Sequence, residues 1–310
     1  MAQRVGVDTS KDWLDVAVLE TGEQFRVGND REGWTELIGR LKGRQVEAIG
    51  IEASGGYERG AVGALCKAGL QVRRVNPFKL RRFAEACGIK AKNDRIDAML
   101  IARFVALMPT RPVRIDPVVE RLAELVGTRR QLVEELTRIR NQAEQARDGE
   151  IIRLRRRQIR QLQAEILRLD QRIAQAVAAD PELACKDRLL QSVKGVGAVL
   201  SHALLAFMPE LGSLTRHQAA ALLGVAPFDH ESGRLKGQRA IWGGRQNLRD
   251  IAYMAALVSG QHNPVLREFK QRLAANGKAA KVIAVAIMRK LITILNAILR
   301  DQQPWRSHPA

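Results

Sequence analysis

The run Arg4-Val5-Gly6-Val7-Asp8-Thr9-Ser10 is a short β-branched stretch that delivers one carboxylate at its end and then turns. A similar run, Val46-Glu47-Ala48-Ile49-Gly50-Ile51-Glu52, closes on a second acid, and Asn93-Asp94-Arg95-Ile96-Asp97-Ala98 carries two more, three residues apart. A strand buried on both faces has little reason to end in a lone carboxylate, because burying an unpaired charge is costly. Acids at positions i and i+3 share one helical face. Two strand-end carboxylates and one such pair, brought together, present only oxygen donors, which suits a hard divalent cation such as Mg²⁺. A cation held this way activates a nucleophile and stabilises charge on a phosphoryl oxygen. Asp8, Glu52, Asp94 and Asp97 are therefore the candidate catalytic and metal-binding residues.

The elements that must position them are legible from periodicity. After Asp8 the chain turns at Thr9-Ser10-Lys11-Asp12 into Trp13–Leu19, then at Thr21-Gly22 into Glu23–Val27, so three alternating runs with tight turns predict an antiparallel meander. Asn29-Asp30 opens a helix to about Leu41, with Trp34, Leu37, Ile38 and Leu41 on one face. The strand ending at Glu52 follows, then a helix through Ala61–Leu65, a strand at Gln71–Val75, a helix from Pro77 and a helix bearing Asp94 and Asp97. Strands in a meander followed by alternating helices and strands describe a mixed α/β sheet, in the order of an RNase H-like fold. Residues 1–119 form this predicted domain.

From Glu120 the pattern changes. Leu122, Leu125, Leu132, Leu136, Ile139, Ala143 and Ala146 recur at spacings of three and four, with Arg129 in the one polar slot of the seam. After Asp148-Gly149 the seam resumes at Ile152, Arg155, Ile159, Leu162, Ile166, Leu169, Ile173 and Ala176. Such heptads predict a coiled-coil middle over 120–180, two long helices that pair with each other or with another subunit. Residues 181–310 read as a third, mainly helical domain. Leu189–Ser201 joins an apolar helix end to a Gly195-Val196-Gly197 turn and a second helix, a helix-hairpin-helix-like element whose glycines let backbone N–H groups face a phosphate. Plain helix-to-helix turns use glycines as well. Basic residues and glycines dominate the loop that follows Pro227 and the stretch Ile241–Arg249, and helices around Leu248–Ser259 and Ala279–Leu299 close the chain.

Composition narrows the partners. Lys and Arg number 51 against 33 Asp and Glu, a net charge of +18 over 310 residues, which points to a polyanionic partner. The last 130 residues supply most of the excess, with 18 basic and 8 acidic groups. Hydrophobic content of 46% is that of a globular protein. Cys66, Cys87 and Cys185 lack metal-ligand spacing, so neither a zinc finger nor a disulfide framework is indicated, and a reducing cytoplasm fits. The N-terminus has no apolar signal core and no long apolar run occurs, so neither secretion nor membrane spanning is expected.

Several blocks together resemble the IS110-type transposases. Gly6-Val7-Asp8-Thr9-Ser10-Lys11, Glu52-Ala53-Ser54-Gly55-Gly56-Tyr57 and Lys92–Ala98 are similar to that family's three acidic blocks. Gly195-Val196-Gly197, Gly224-Val225-Ala226-Pro227, Ser232-Gly233 and Asn247-Leu248-Arg249 follow in the family's order. The resemblance implies a RuvC-like, RNase H-related amino-terminal domain with an Asp-Glu-Asp-Asp set that uses Mg²⁺, and a second domain whose serine, Ser232 by motif, is the nucleophile. It also implies a DNA recombinase guided by a structured RNA, acting in the nucleoid as a homo-oligomer, a dimer assembling to a tetramer with active sites shared between subunits.

Ser232 draws its role almost wholly from this resemblance, since a Ser-Gly in a loop is usually a turn. A serine hydroxyl needs activation. His230 stands two residues away, although a loop histidine is more often merely solvated, and metal coordination by the acids would serve equally. Ser10 and Ser54 read as turn residues, and Tyr253 as a residue packed within its helix. Lys79, Arg81, Arg82, Lys194, Gly195, Gly197, Arg234, Lys236, Arg239, Arg245 and Arg249 are the candidate nucleic-acid contacts; a solvated helix face is the plainer reading for the first three. Two other functions compete: a RuvC-like structure-selective endonuclease using metal-activated water, and a non-catalytic nucleic-acid-binding scaffold. Four acids facing phosphate argue against the scaffold, because a pure binder gains nothing from them.

Overall fold

The computed structural model describes residues 2–53, 55–89, 94–113, 115–229 and 239–306, with the side chains of 94–96, 229 and 239 outside that description. The chain divides into two units, Met1–Ile115 and Asp116–Ala310.

The first unit begins with β1 (Gln3–Thr9), β2 (Trp13–Val18) and β3 (Gln24–Gly28). Ser10 makes the first turn: its hydroxyl accepts from the Trp13 N–H at 3.0 Å and donates to the Trp13 carbonyl at 2.9 Å. Then follow α1 (Arg31–Leu41), β4 (Val46–Glu52), α2 (Arg59–Lys67), β5 (Val72–Val75), α3 (Pro77–Ala86) and α4 (Asp94–Leu107). Helix α1 starts where Asp30 accepts the Gly33 N–H. The sheet order is β3-β2-β1-β4-β5, with β1, β2 and β3 antiparallel and β4 and β5 parallel to β1. The predicted meander and mixed sheet are thus present. Alternation sorts the two faces of the sheet. Val5, Val7, Ile49 and Ile51 point into a core with Leu37, Leu41, Val62 and Leu65, while Ala48 joins Leu100, Ile101, Phe104 and Val105 of α4 on the other side.

The second unit opens with α5 (Pro117–Gln145), α6 (Gly149–Ala179) and α7 (Pro181–Gln191). Asp116, Asp148 and Asp180 cap these three helices, each accepting two backbone N–H groups, and Pro follows at the first position of α5 and α7. Helices α5 and α6 pack against each other as a hairpin within this one chain. Arg129, the polar residue of the seam, forms an ion pair with Asp170 of α6. Their proximal ends join a larger core through Leu122, Leu125, Leu169, Ile173 and Val177. The remaining elements are α8 (Ala198–Phe207), α9 (Arg216–Leu223), β6 (Pro227–Asp229), β7 (Arg239–Ile241), α10 (Gln246–His262), α11 (Pro264–Ala275) and α12 (Ala280–Asp301). Helices α9 and α11 and the β6–β7 ribbon add to the elements the periodicity indicated; three-residue strands carry too few positions to show a period.

Among the described residues α12 is the one helix long and apolar enough to cross a membrane, and 56% of its most apolar window is buried in this unit. Asn296 is its buried polar anchor, accepting the Gly212 N–H at 2.9 Å and donating to the Leu214 carbonyl at 2.7 Å.

Candidate active site and nucleic-acid surfaces

The strand ladder brings the first two acids to one edge. Gly6 pairs with Gly50 and Val7 with Ile51 in the parallel ladder, so Asp8 and Glu52, one residue further in each strand, end neighbouring strands on the same face. That face is also the floor for α4. A Cβ placed on Gly6 would lie 2.0 Å from the Ala98 carbonyl oxygen and 2.5 Å from the Ala102 nitrogen, and one on Gly50 would lie 2.7 Å from Ile101 and Val105 side-chain carbons. Two paired glycines therefore let α4 rest on the strand backbones. Asp94 and Asp97 occupy its first turn, where the positive end of the helix dipole favours carboxylates. Asp97 immediately precedes Ala98, the residue seated on Gly6, two residues from Asp8. Asp8, Glu52 and Asp97 are each half-buried; the Asp94 side chain lies outside the described residues. The Thr9 N–H donates to Asp8 Oδ1 at 2.9 Å, which fixes one oxygen of that carboxylate.

The donor chemistry of this set is oxygen only, which fits Mg²⁺ and offers nothing to soft metals. Among the described residues no three His, Cys, Asp or Glu side chains stand gathered at metal-binding range.

Two further charged residues extend the site and were not singled out from the sequence. Asp15 on β2 is the direct partner of Asp8, and Arg26 on β3 is the direct partner of Asp15. Directly paired residues point to the same side of a sheet. Asp8, Asp15 and Arg26 thus form one cross-strand row beside α4. Arg26 holds Asp15 with both arms of its guanidinium, Nε to Oδ1 at 3.0 Å and Nη2 to Oδ2 at 2.8 Å. Asp15 is buried, while the Arg26 side chain keeps 48% of its surface open. Both line a cavity of about 220 Å³ that reaches Ala98. The tight turn at Ser10 fixes the register, so the pairing of Asp8 with Asp15 was in principle countable from the sequence.

In the second unit the serine-bearing segment is bracketed rather than described. Strands β6 and β7 pair antiparallel, Asp229 with Arg239, and close the base of residues 230–238; His230, Ser232, Arg234 and Lys236 lie outside the described residues, as does the Arg239 side chain. That base is clamped by glycines. Gly224 has φ +81° and Gly244 φ +72°, and a Cβ on either would meet backbone of the other stretch within 2.4 Å. Arg249 reaches the same crossing, donating to the Gly243 carbonyl at 2.8 Å and the Gly224 carbonyl at 3.4 Å. Arg245 grips Glu210 with two bonds of 2.9 and 2.6 Å. Both arginines named as nucleic-acid contacts thus have partners within the protein, Glu210 for Arg245 and two glycine carbonyls for Arg249.

The other named contacts are distributed. Lys79, Arg81 and Arg82 are exposed on α3, where Arg82 pairs with Glu85 and lies over the Phe78 ring. Asn76 already caps the start of that helix. Lys194 and Gly197 are exposed in the turn between α7 and α8, and the N-cap of α8, Gly197, has no side chain with which to cap it. Gly195, with φ +99°, docks this turn on α10: a Cβ there would lie 2.3 Å from Ser259 Oγ. Beneath the turn Ser201 Oγ donates to Asp187 Oδ1 at 2.5 Å, His202 Nε2 lies 3.6 Å from the same oxygen, and Gln191 donates to both oxygens at 2.8 Å. Burial pushes the Asp187 carboxyl up, but the bonds from His202, Ser201 and Gln191 outweigh it and hold the group below the ordinary carboxylate value. Tyr253 is partly exposed on α10 rather than enclosed by it, because the buried face of that helix runs through Leu248, Ala252, Ala255 and Ala256.

A mixed sheet with a three-stranded meander, acids at the ends of its first and fourth strands and a helix laid across both defines an RNase H-like nucleic-acid-processing domain. Residues 5–152 match the family model DEDD_Tnp_IS110, described as a transposase, and residues 187–271 match the transposase IS116/IS110/IS902 family. The chain belongs to the IS110 family of transposases. It is similar to the pilin gene-inverting protein of Moraxella bovis, 29% identical over 316 residues and 97% of each chain. An uncharacterized 42 kDa protein of the insertion element IS900 from Mycobacterium paratuberculosis is 30% identical over 161 residues, 49% of this chain and 39% of that one. Among solved structures, Thermus thermophilus RuvC in complex with a Holliday junction substrate aligns over 36% of this chain and all of its own at 15% identity, with a TM-score of 0.27.

Proposed function

We propose that this transposase breaks and rejoins DNA through a phosphoserine intermediate, with Ser232 as nucleophile and Asp8, Glu52, Asp94 and Asp97 as the Mg²⁺ site. The observation that carries the reading is the seating of α4 on Gly6, which brings the turn bearing Asp97 to the strand ends bearing Asp8 and Glu52. Bound Mg²⁺ would neutralise charge on the scissile phosphate. Ser232 Oγ attacks phosphorus, its proton passing to a base, and the bond from phosphorus to the leaving deoxyribose oxygen breaks as the ester forms. The ester conserves the bond energy, so a hydroxyl of a second strand can displace Ser232 without an external energy source. Arg26, braced by Asp15, holds the phosphate beside Asp8. Rearrangement of DNA accords with the relative named for inverting a pilin gene, matched over nearly its whole length. Guidance by a structured RNA, a tetramer with sites shared between subunits, and action at the nucleoid complete the reading.

The test uses Ser232→Ala and Asp8→Ala proteins, separately and mixed, on DNA labelled at the scissile phosphate. Wild type should carry label through a denaturing gel, each variant alone should not, and the mixture should recover adduct if sites are shared. Normal cleavage by Ser232→Ala would replace the serine with metal-activated water, the endonuclease reading.

A further inference from the structure

Helix α6 carries a basic stripe that no part of the site above uses. Arg153, Arg156, Arg157 and Arg160 stand at positions i, i+3, i+4 and i+7, within an arc of about 100° on a helix of 3.6 residues per turn. All four are exposed, and together with Glu150 and Leu154 they line one depression of about 590 Å³. The apolar seam of α6 runs along the opposite side, through Ile152, Ile159, Leu162 and Ile166, so the stripe takes no part in the pairing with α5. Among the described residues Arg156, Arg157 and Arg160 meet no carboxylate, and Arg153 approaches Glu150 only at 4.0 Å.

Three features set this stripe apart from an ordinary solvated face. Like charges three and four residues apart destabilise a helix, and solvated helices normally relieve this with interleaved acids; here no acid occurs from Ile151 to Ala164. Every basic residue from 120 to 180, thirteen in all, is arginine, whose planar fork matches phosphate oxygens in a way a lysine ammonium does not. Finally, no residue from 140 to 168 is buried, so this arm of the hairpin gives little to the core of its own unit and presents its length to a partner.

We propose that the arginine stripe Arg153-Arg156-Arg157-Arg160 on the distal arm of α6 is a binding surface for the phosphodiester backbone of duplex DNA, the polyanion on which a transposase acts. The inference draws on the reading of this chain as a nucleic-acid enzyme but not on its chemistry. Backbone contacts of this kind carry affinity and orientation without reading bases. A helix face of four arginines along about 10 Å spans several successive phosphates.

The experiment measures binding of the full-length protein to a short duplex DNA and, separately, to a stem-loop RNA, both of arbitrary sequence, across a salt series. Replacing all four arginines by Gln, a good helix former, should keep the circular dichroism of the wild type. The slope of log affinity against log salt should then fall by about 3.6 on the DNA duplex, since each of the four lost contacts removes about 0.9. A second variant with four Lys should recover most of the slope. Loss on the duplex DNA supports the proposal, whereas loss on the stem-loop RNA with DNA binding unchanged would overturn it and give the stripe to RNA. Unchanged affinity and slope on both would overturn the proposal and leave the stripe to an acidic protein surface. The assay needs no catalysis, so loss of strand exchange in Ser232→Ala leaves its outcome untouched.

Discussion

Gly6 and Ala98 touch so closely that a Cβ on the glycine would fall 2.0 Å from the alanine carbonyl oxygen. One missing side chain on β1 thus sets how near the acid-bearing turn of α4 comes to Asp8.

Substituting Gly6→Ala should therefore be doubly costly. Overpacking of this kind costs about 1–3 kcal/mol, read as a lowered urea midpoint. Strand cleavage should fall further than stability explains, because α4 must lift away from the strand that carries Asp8, while DNA binding should hold. Unaltered stability and cleavage would show that α4 is not seated as described.

Asp15 and Arg26 should behave as a coupled pair. Arg26→Gln leaves a buried carboxylate beside Asp8 without its partner, a loss of about 1–3 kcal/mol for an unsatisfied charged group. Adding Asp15→Asn should restore part of that stability, and the double-mutant cycle measures the coupling. Cleavage should stay low in both, since the guanidinium that faces the phosphate is gone; full activity of Arg26→Gln would remove Arg26 from the site.

Acid stability should report on Asp187. Its folded value is lowered by hydrogen bonds, so the unfolded chain takes the proton first as pH falls. The stabilisation is present above the ordinary carboxylate value of 3.8 and is lost as pH drops through it toward the lower folded value. Asp187→Asn should flatten the melting temperature between about pH 5 and 3 relative to wild type. An equally steep decline in the variant would assign the effect to other acids, such as Glu20 held by Arg4.

Gly224→Ala should uncouple binding from chemistry. The new methyl meets the Gly243 carbonyl at 2.4 Å on a backbone of φ +81°, so the base of the β6–β7 ribbon must open. Adduct formation should fall at least tenfold with nucleic-acid affinity within about twofold, measured side by side; a parallel loss of both would indicate general unfolding.

The helical hairpin gives the last contrast. Ile173 is 1% exposed and lies in the main core, whereas Leu162 and Ile166 are only half-buried. Ile173→Asp should destabilise the unit by more than about 3 kcal/mol. Leu162→Asp with Ile166→Asp should cost less in the monomer and should lower the molar mass in light scattering if subunits pair through this arm. A retained mass would confine that seam to the hairpin.

Much of this was written locally. Strand-end acids, tight turns at Ser10 and Gly22, Asp caps before α5, α6 and α7, and the heptads of the two long helices all depend on neighbours within a few residues, so one-dimensional spacing carries them. The blocks around Asp8, Glu52 and Asp97 likewise sufficed for the family. What the sequence left open was pairing at a distance. Heptads state that a seam must be covered but not by whom; the structure packs α6 against α5 and pairs Arg129 with Asp170, with Leu162 and Ile166 left half-buried. Arg245 and Arg249 carry the charge of phosphate ligands, yet Glu210 and two glycine carbonyls claim them, because their partners stand 35 and 6 to 25 residues away. The glycines at 6 and 50 look alike in the sequence. Only the helix laid over both, under close packing that leaves no room for a methyl group, makes them the floor of the site.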